Sequence, residues 1–332
     1  MGGEITHEAT QTFGSAQISS VQYQPTDRPI EDRFSINLDG ARLILGVYDG
    51  HGGSDTADHI SKTLPLVLLS SPPEDHSRIF EAADAAMLDA FMADHAPLRA
   101  RSKHWRHHAQ VLRSGCTALI LDIRLDAPER ALQYANAGDC RALVCGAPAS
   151  GSDTVEGAVR RVQQTEDLNA KTPSEQARLR TEHLGEELLV VSGRLFGKLM
   201  STRGFGDGYY KLPKGINNWR HKKYIDVLSS LDQGSGKVPL NAQYASYFYG
   251  YHTPPYIVAS PKVGTMSLTR QSFVVCGSDG LFDLATSEEV AAIVERGIAD
   301  GVENLAGYLL AAVKAIQMPG DDVTILVVRF MD

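Results

Sequence analysis

The sequence predicts an α+β fold in which two antiparallel sheets stack as a β-sandwich flanked by pairs of helices, an αββα arrangement. Strand-type apolar runs fall in groups, at 42–48, 116–123, 131–137, 141–145, 256–260, 273–277 and 323–330. Helical periods fall between those groups, at 54–69, 77–93, 174–183, 287–298 and 302–316. Gly138-Asp139-Cys140, the whole link between two of the strand runs, is too short for a parallel crossover and predicts an antiparallel hairpin. Face-to-face sheets with helices outside bury both kinds of element in one core, so residues 1–332 are expected to form a single domain.

Taken in order, residues 1–15 are expected to be a flexible N-terminal segment. The 42–48 run ends at the turn Asp49-Gly50-His51, and two helical periods follow it. The stretch 96–113 contains HWRHHAQVLR; no cysteine or acid interleaves His104, His107 and His108, which argues for a solvated basic loop over a metal site. An insertion at about 208–251 is polar and aromatic, and Trp219, Tyr244, Tyr247, Phe248 and Tyr249 are expected to fold it onto the body. Thr286 and Glu289 are spaced as a capping box before an Ala/Val/Ile helical face.

Of the 332 residues 43% are hydrophobic and 22% charged, a globular composition. Thirty-two basic residues against forty acidic ones give a net charge of −8, which leaves no electrostatic footprint for nucleic acid. No apolar run is long enough for a membrane span. Cys116, Cys140, Cys145 and Cys276 lie in apolar stretches without zinc-type spacing, which favours buried free thiols in a reducing, intracellular compartment. The first basic side chain is Arg28, so neither a signal core nor an Arg-rich transit pattern is visible.

Acids recur at strand ends: Asp49 after GVY, Asp279 after FVVCGS, Asp139 in the NAGD turn, and Asp321 with Asp322 before VTILVV. One acid-glycine turn is ordinary turn chemistry. A convergent set repels itself unless protonated or neutralised, and hard divalent cations are the usual remedy. Mg²⁺ or Mn²⁺ takes oxygen ligands, keeps several waters and accepts a carbonyl such as that of Gly50. With no P-loop lysine, nucleophile elbow or Cys/His pairing in the sequence, metal-activated water is the best nucleophile on offer.

IEDRF (30–34), VYDGHGG (47–53), SGCTAL (114–119), NAGDCRAL (136–143), LMSTRGFGD (199–207), CGSDGLFD (276–283) and GDDVTILVV (320–328) together resemble the metal-dependent Ser/Thr protein phosphatases of type 2C. The order and approximate spacing match from about residue 20 to residue 330. PIEDR (29–33), the insertion after the FGD turn and YHTPPYIVASPKV (251–263) resemble the pyruvate dehydrogenase phosphatase branch more closely. The resemblance implies the sandwich fold and two or more Mg²⁺ or Mn²⁺ ions. It makes Asp49 a bridge between two metals, with Glu31 and the Gly50 carbonyl completing one and Asp279 with Asp321 serving the other. The bridging water is then the nucleophile, and His51 the acid that protonates the leaving alkoxide. Asp32 matches an acid that orients His51 or a metal water, and Asp139 and Asp283 match positions of a further, weaker metal. Thr117 is expected to pack near the site, Asp207 to be a structural turn acid, Asp322 to stand behind the metal ligands, and Arg203 to be a salt-bridge partner.

One position departs from the family. Many members carry a phosphate-gripping arginine four residues before the acid matched by Glu31; here that residue is Asp27, leaving Arg28, one residue along, as the phosphate candidate. The expected activity is hydrolysis of phosphoserine or phosphothreonine in a protein, with a pyruvate dehydrogenase-like complex as the partner the branch implies. A phosphatase of a small phosphorylated metabolite and a catalytically silent regulatory homologue are the alternatives. Retention of Glu31, Asp49, Asp279 and Asp321 counts against silence. The branch points to the mitochondrial matrix, and the visible N-terminus to the cytoplasm unless a transit peptide has been removed.

Overall fold

The structure, a computed structural model, describes residues 3–96, 100–126, 131–146, 161–214, 219–231, 252–269 and 271–331. Its strands are β1 (Glu4–Phe13), β2 (Ala16–Gln24), β3 (Arg33–Asp39), β4 (Arg42–His51), β5 (Gly115–Arg124), β6 (Ala131–Ala137), β7 (Arg141–Gly146), β8 (Arg161–Gln164), β9 (Val190–Val191), β10 (Arg194–Leu195), β11 (Phe205–Gly206), β12 (Lys262–Ser267), β13 (Phe273–Gly277) and β14 (Val323–Phe330). Its helices are α1 (Asp55–Leu69), α2 (His76–Asp94), α3 (Trp105–Arg113), α4 (Pro173–Glu182), α5 (Gly208–Lys211), α6 (Trp219–Ser230), α7 (Asp279–Phe282), α8 (Ser287–Ala299) and α9 (Leu305–Ile316). One sheet runs β1-β2-β14-β13-β7-β8; the other runs β12-β6-β5-β4-β3, with β11 also paired to β5. The pairings within both are antiparallel.

Alternation along each central strand divides its side chains between two apolar layers. In β4, Leu43, Leu45 and Val47 enter the inter-sheet core with Leu326 and Val328 of β14, while Ile44 and Tyr48 face Ile60 of α1 and Phe80 of α2. In β14, Val323, Ile325 and Val327 face Val290 of α8 and Leu309 of α9. Burial on both faces is why these strands read as continuous apolar runs. Thr286 and Glu289 close a capping box at the start of α8, as the spacing predicted.

The expected hairpin between 131–137 and 141–145 does not form. β6 pairs with β5 and β12, whereas β7 pairs with β13 and β8 in the opposite sheet. Gly138 turns the chain with φ +145°, and a Cβ there would meet Thr117 at 2.2 Å, so the three-residue link passes from one sheet to the other. Residues 4–13, expected within a flexible segment, pair with β2 over their whole length. The run 256–260 is not a strand: Tyr256 and Ile257 are buried in a lateral apolar cluster, and Val258 makes a single bridge to Arg203.

The stretch expected as a basic loop contains α3, whose Ala109, Val111 and Leu112 are buried. His108 Nδ1 lies 2.7 Å from Asp94 of α2, an acid supplied by a distant part of the chain. In the insertion, α6 packs through Tyr224, Ile225 and Leu228, while Trp219 is 52% exposed, with Arg220 over its ring; the other four expected anchors lie outside the described residues.

Candidate active site

The last residues of β4 lie beside the first of β5: Asp49 opposite Thr117, Gly50 opposite Cys116, and His51 opposite Gly115. Asp279 opens α7 directly after β13 of the other sheet, and Asp139 sits in the link that passes between the sheets. Asp49, Asp139 and Asp279 each bring a ligand oxygen to within 4.8 Å of the others. The sandwich thus gathers three carboxylates from separate parts of the chain at one end.

That convergence is electrostatically unfavourable as it stands. Burial, and then the charges of Asp279, Asp32, Asp139 and Asp321, hold the Asp49 carboxyl well above the usual range. Burial and the charge of Asp139 do the same to Asp279, with Asp321 and Asp32 adding to the shift. Burial raises Asp139 too, opposed by the Asn169 amide, which donates to its Oδ2 at 3.1 Å. Asp32 is pushed up to about 7 by burial and by Asp322, and its Oδ2 is enclosed without a hydrogen-bond partner among the described residues. An all-oxygen donor set with this much uncompensated charge fits a hard divalent cation.

The remaining expected ligands surround this group. A Cβ on Gly50 would lie 2.3 Å from the Glu31 carbonyl oxygen, so only glycine permits the two backbones to touch. The Glu31 amide donates to Asp322 Oδ2 at 2.8 Å, which ties the Glu31 segment to the start of β14. Asp322 therefore acts as a brace, as expected. Asp321, beside it, is exposed, and its charge reaches Asp49, Asp279 and Asp32. Asp283 is exposed at the end of α7 and, with Asp139 and Asp279, lines a cavity of about 540 Å³. Two cations line the same cavity: Arg141 is held by Asp167 at 2.6 and 2.9 Å, while the Lys171 ammonium has no partner among the described residues.

His51 points its Nε2 at Asp207, 2.9 and 3.0 Å from the two carboxylate oxygens. Burial lowers the imidazole pKa, but the charge and hydrogen bond of Asp207, with Glu31 and Asp139, leave it raised overall. A Cβ on Gly115 would fall 2.1 Å from His51 Nε2 and 2.3 Å from Asp207 Oδ2, so this glycine creates the space for the pair. Asp207 itself has a left-handed backbone, φ 55° and ψ 41°, between Gly206 and α5.

Two expectations change here. Asp207 is the partner of the histidine and more than a structural turn acid, and of the two roles expected of Asp32 this leaves the orienting of a metal water. Asp32 packs toward Ser278 and Thr324, whose hydroxyls oppose the rise in its pKa. The clue in the sequence was the doubled glycine of Gly204-Phe205-Gly206-Asp207, which marks a backbone forced into close contact; it carried no sign of a partner 156 positions away.

The phosphate candidate is not drawn into the group. Asp27 and Arg28 are exposed, Arg28 makes only backbone hydrogen bonds among the described residues, and neither lines the cavity. Thr117 is buried, its hydroxyl 3.3 Å from Cys140 Sγ. Arg203 meets Glu175 at 2.7 Å and the Ser260 carbonyl at 2.7 Å, the salt-bridge role expected of it.

The model of a known family, protein phosphatase 2C, matches residues 21–317. Among curated relatives, pyruvate dehydrogenase (acetyl-transferring) phosphatase 1, mitochondrial, of Saccharomyces cerevisiae is 28% identical over 287 residues, covering 81% of this chain and 46% of that protein. Pyruvate dehydrogenase (acetyl-transferring) phosphatase 2, mitochondrial, of Homo sapiens is 27% identical over 367 residues, covering 90% and 65%. The chain thus spans only about half to two thirds of the length of these relatives. A phosphatase crystal structure from Toxoplasma gondii superimposes with a TM-score of 0.64 at 14% identity, covering 98% of this chain and 95% of that one, a likeness of fold.

Proposed function

Because the chain belongs to the protein phosphatase 2C family, we propose that it is a Mg²⁺- or Mn²⁺-dependent phosphatase of phosphoserine and phosphothreonine in proteins. The convergence of Asp49, Asp139 and Asp279 carries this proposal, since three carboxylates placed this close could hold a hard cation. Asp49, Asp279, Asp321, Glu31 and the Gly50 carbonyl are proposed to hold two ions, and Asp139 with Asp283 a further one. Bound there, the metal supplies a water of lowered pKa for attack on phosphorus and positive charge for the phosphoryl oxygens.

The protein's own part is to place charge and a proton. The carboxylates fix where cations sit, and the glycine contact at Gly50 keeps the Glu31 segment against β4. As the P–O ester bond breaks, His51 protonates the departing seryl oxygen, a poor leaving group on its own. Arg28, exposed and hydrogen-bonded among the described residues only through its backbone, is the proposed phosphate contact on the 25–32 segment, away from the cavity wall. Lys171, on that wall, is a further cation.

The names of the relatives support a mitochondrial protein substrate of pyruvate dehydrogenase type, and with it a matrix location. The test is phosphate release from a phosphoserine peptide and from a panel of small phosphate esters, with Mn²⁺, with Mg²⁺ and with chelator. Metal-dependent turnover of the peptide is expected. Turnover of a small ester alone would replace the substrate class, and no turnover on any substrate would end the enzyme proposal.

A further inference from the structure

Behind His51 lies a second, wholly interior arrangement. Lys211, at the end of α5, is 4% exposed, and its ammonium contacts both carboxylate oxygens of Asp84 at 2.7 Å and the Gly204 carbonyl at 2.7 Å. Asp84, on α2 and 6% exposed, also accepts the Gly206 amide at 3.0 Å. The pair therefore grips the turn on either side of Phe205, one glycine by its carbonyl and the other by its amide. The next residue is Asp207, whose own amide donates to the Ser114 carbonyl at 2.8 Å, and Ser114 precedes the Gly115 that makes room for the His51 contact.

This is more fixing than a turn needs. Gly204 and Gly206 both have positive φ, 152° and 72°, and a Cβ on Gly206 would strike the Ser114 carbonyl at 2.3 Å. A glycine-rich turn is entropically costly to hold in one conformation. A buried ion pair is a poor source of stability compared with apolar residues of similar volume, whereas its directional bonds can set a backbone geometry. The interior charges are best accounted for by what the turn carries.

We infer that Asp207 and the Asp84–Lys211 pair are positioning residues for the catalytic acid: the pair fixes the Gly204–Gly206 turn, the turn aims Asp207, and Asp207 holds the His51 ring by Nε2. With Nε2 engaged, Nδ1, which has no partner among the described residues, is the nitrogen whose proton passes to the departing seryl oxygen while the Nε2–H stays on Asp207. This rests on His51 being the general acid of the proposed phosphatase. The chain of contacts makes its own claim, that residues on α2 and α5 control the orientation of a ring on β4.

The experiment compares wild type with Asp207→Asn and with the double variant Asp84→Leu/Lys211→Met, which removes both interior charges and leaves neither unpaired. Each Mg²⁺-loaded protein is assayed on a phosphoserine peptide and on p-nitrophenyl phosphate, whose leaving group needs little protonation. Asp207→Asn is expected to lower kcat on the peptide by about a hundredfold or more, the usual share of a general acid, with little change on the aryl ester. The double variant is expected to lower peptide kcat about tenfold, with KM on both substrates unchanged, a loss smaller than that of the full acid contribution. In a His51→Ala background the same changes should add nothing further, because residues acting through one group are not additive. Equal losses on both esters, or undiminished losses without His51, would overturn the positioning role.

A readout without turnover separates this from the enzyme proposal. The ¹⁵N-detected His51 Nε2–H signal of the Mg²⁺-loaded protein should shift in Asp207→Asn and broaden or shift in the double variant. An unchanged His51 signal in a folded double variant sinks the inference even if the phosphatase is active. A shifted signal supports it even if no phosphatase substrate is found.

Discussion

Two groups of carboxylate in this molecule, one buried and one half-buried, have opposite surroundings. Glu175, at the start of α4, is 1% exposed and ringed by cations: Arg203 at 2.7 Å and Arg178 at 2.9 Å. Burial alone would raise its pKa, but the two guanidiniums bring it below the usual value. Asp49 and Asp279 have one another instead, and theirs rise far above it. At Glu175 the chain supplies the counter-charge, so the result is a strut; at Asp49 the nearest charges among those that shift its pKa are acids, the donor set proposed above to hold a cation. The difference teaches how to tell a structural acid from a ligand: by the sign of the charges the fold puts beside it.

Removing one ligand from the uncompensated group should have the largest effect. Asp279→Asn is expected to reduce peptide phosphatase activity at least about a thousandfold, since metal-supplied charge is worth several kcal/mol in the transition state. Its stability in chelator should match or exceed that of wild type, because a repulsion has gone. Guanidinium unfolding measures that half, and full activity would remove Asp279 from the metal site.

At the compensated group the outcome reverses. Glu175→Gln should destabilise the fold by about 3–5 kcal/mol, the cost of leaving a buried charge without its partner. Denaturant midpoints read this directly, and a loss under 1 kcal/mol would mean that the Ser260 and Thr202 carbonyls and Glu182 satisfy the guanidiniums without Glu175.

Metal addition sharpens the contrast at lower magnitude. At a concentration about 100 times the dissociation constant, Mg²⁺ should stabilise wild type by about 2.7 kcal/mol and Asp279→Asn by much less. The unfolding temperature with and without metal tests it, and equal shifts in both proteins would place the binding elsewhere.

The effect of pH differs in sign between the groups. Burial and the charge of Asp322 push the Asp32 pKa up from its ordinary 3.8 to about 7 in the folded chain, so between those values the folded chain holds the extra proton. Its contribution to stability is therefore present at low pH and declines as pH rises through that window. Glu175 has the lower folded pKa, so its contribution is lost as pH falls below the usual glutamate range. Unfolding of chelated wild type and Asp32→Asn at pH 4 to 8 should show the wild-type decline flattened in the variant. Parallel curves would refute the Asp32 assignment.

The sequence showed the strands whose apolar residues run on without a break and hid the others: β2, buried along nearly all its length, reads AQISSVQYQ and was missed, as were edge strands. β4, β5, β13 and β14 read as strands because sheet and helix cover them alike, whereas β1, β3 and β12 carry exposed or half-exposed residues along most of their length. The short link at Gly138 was read as a hairpin because chain length limits how far strands can separate along a sheet, not whether they change sheets. At the site, the acids were visible because a carboxylate ending an apolar strand is out of place. Asp207 was not visible, because its meaning depends on Gly115 and His51, which only the pairing of β5 with β4 and β11 brings near.

The pairing of β14 has a consequence in time. β14 lies between β2 and β13, with Phe330 opposite Ala16, so the sheet joins two segments more than 300 positions apart. Contacts of such sequence separation form late and slowly in folding. On a ribosome, β2 emerges early and must wait for residues 323–330 before its inner edge is covered. Asp321 and Asp322 arrive with that same strand, so the proposed metal site would be complete only when β14 has been inserted. A chain lacking β14 would have an open sheet edge and an incomplete proposed ligand set together, which would couple the onset of the proposed activity to the end of exposure to aggregation.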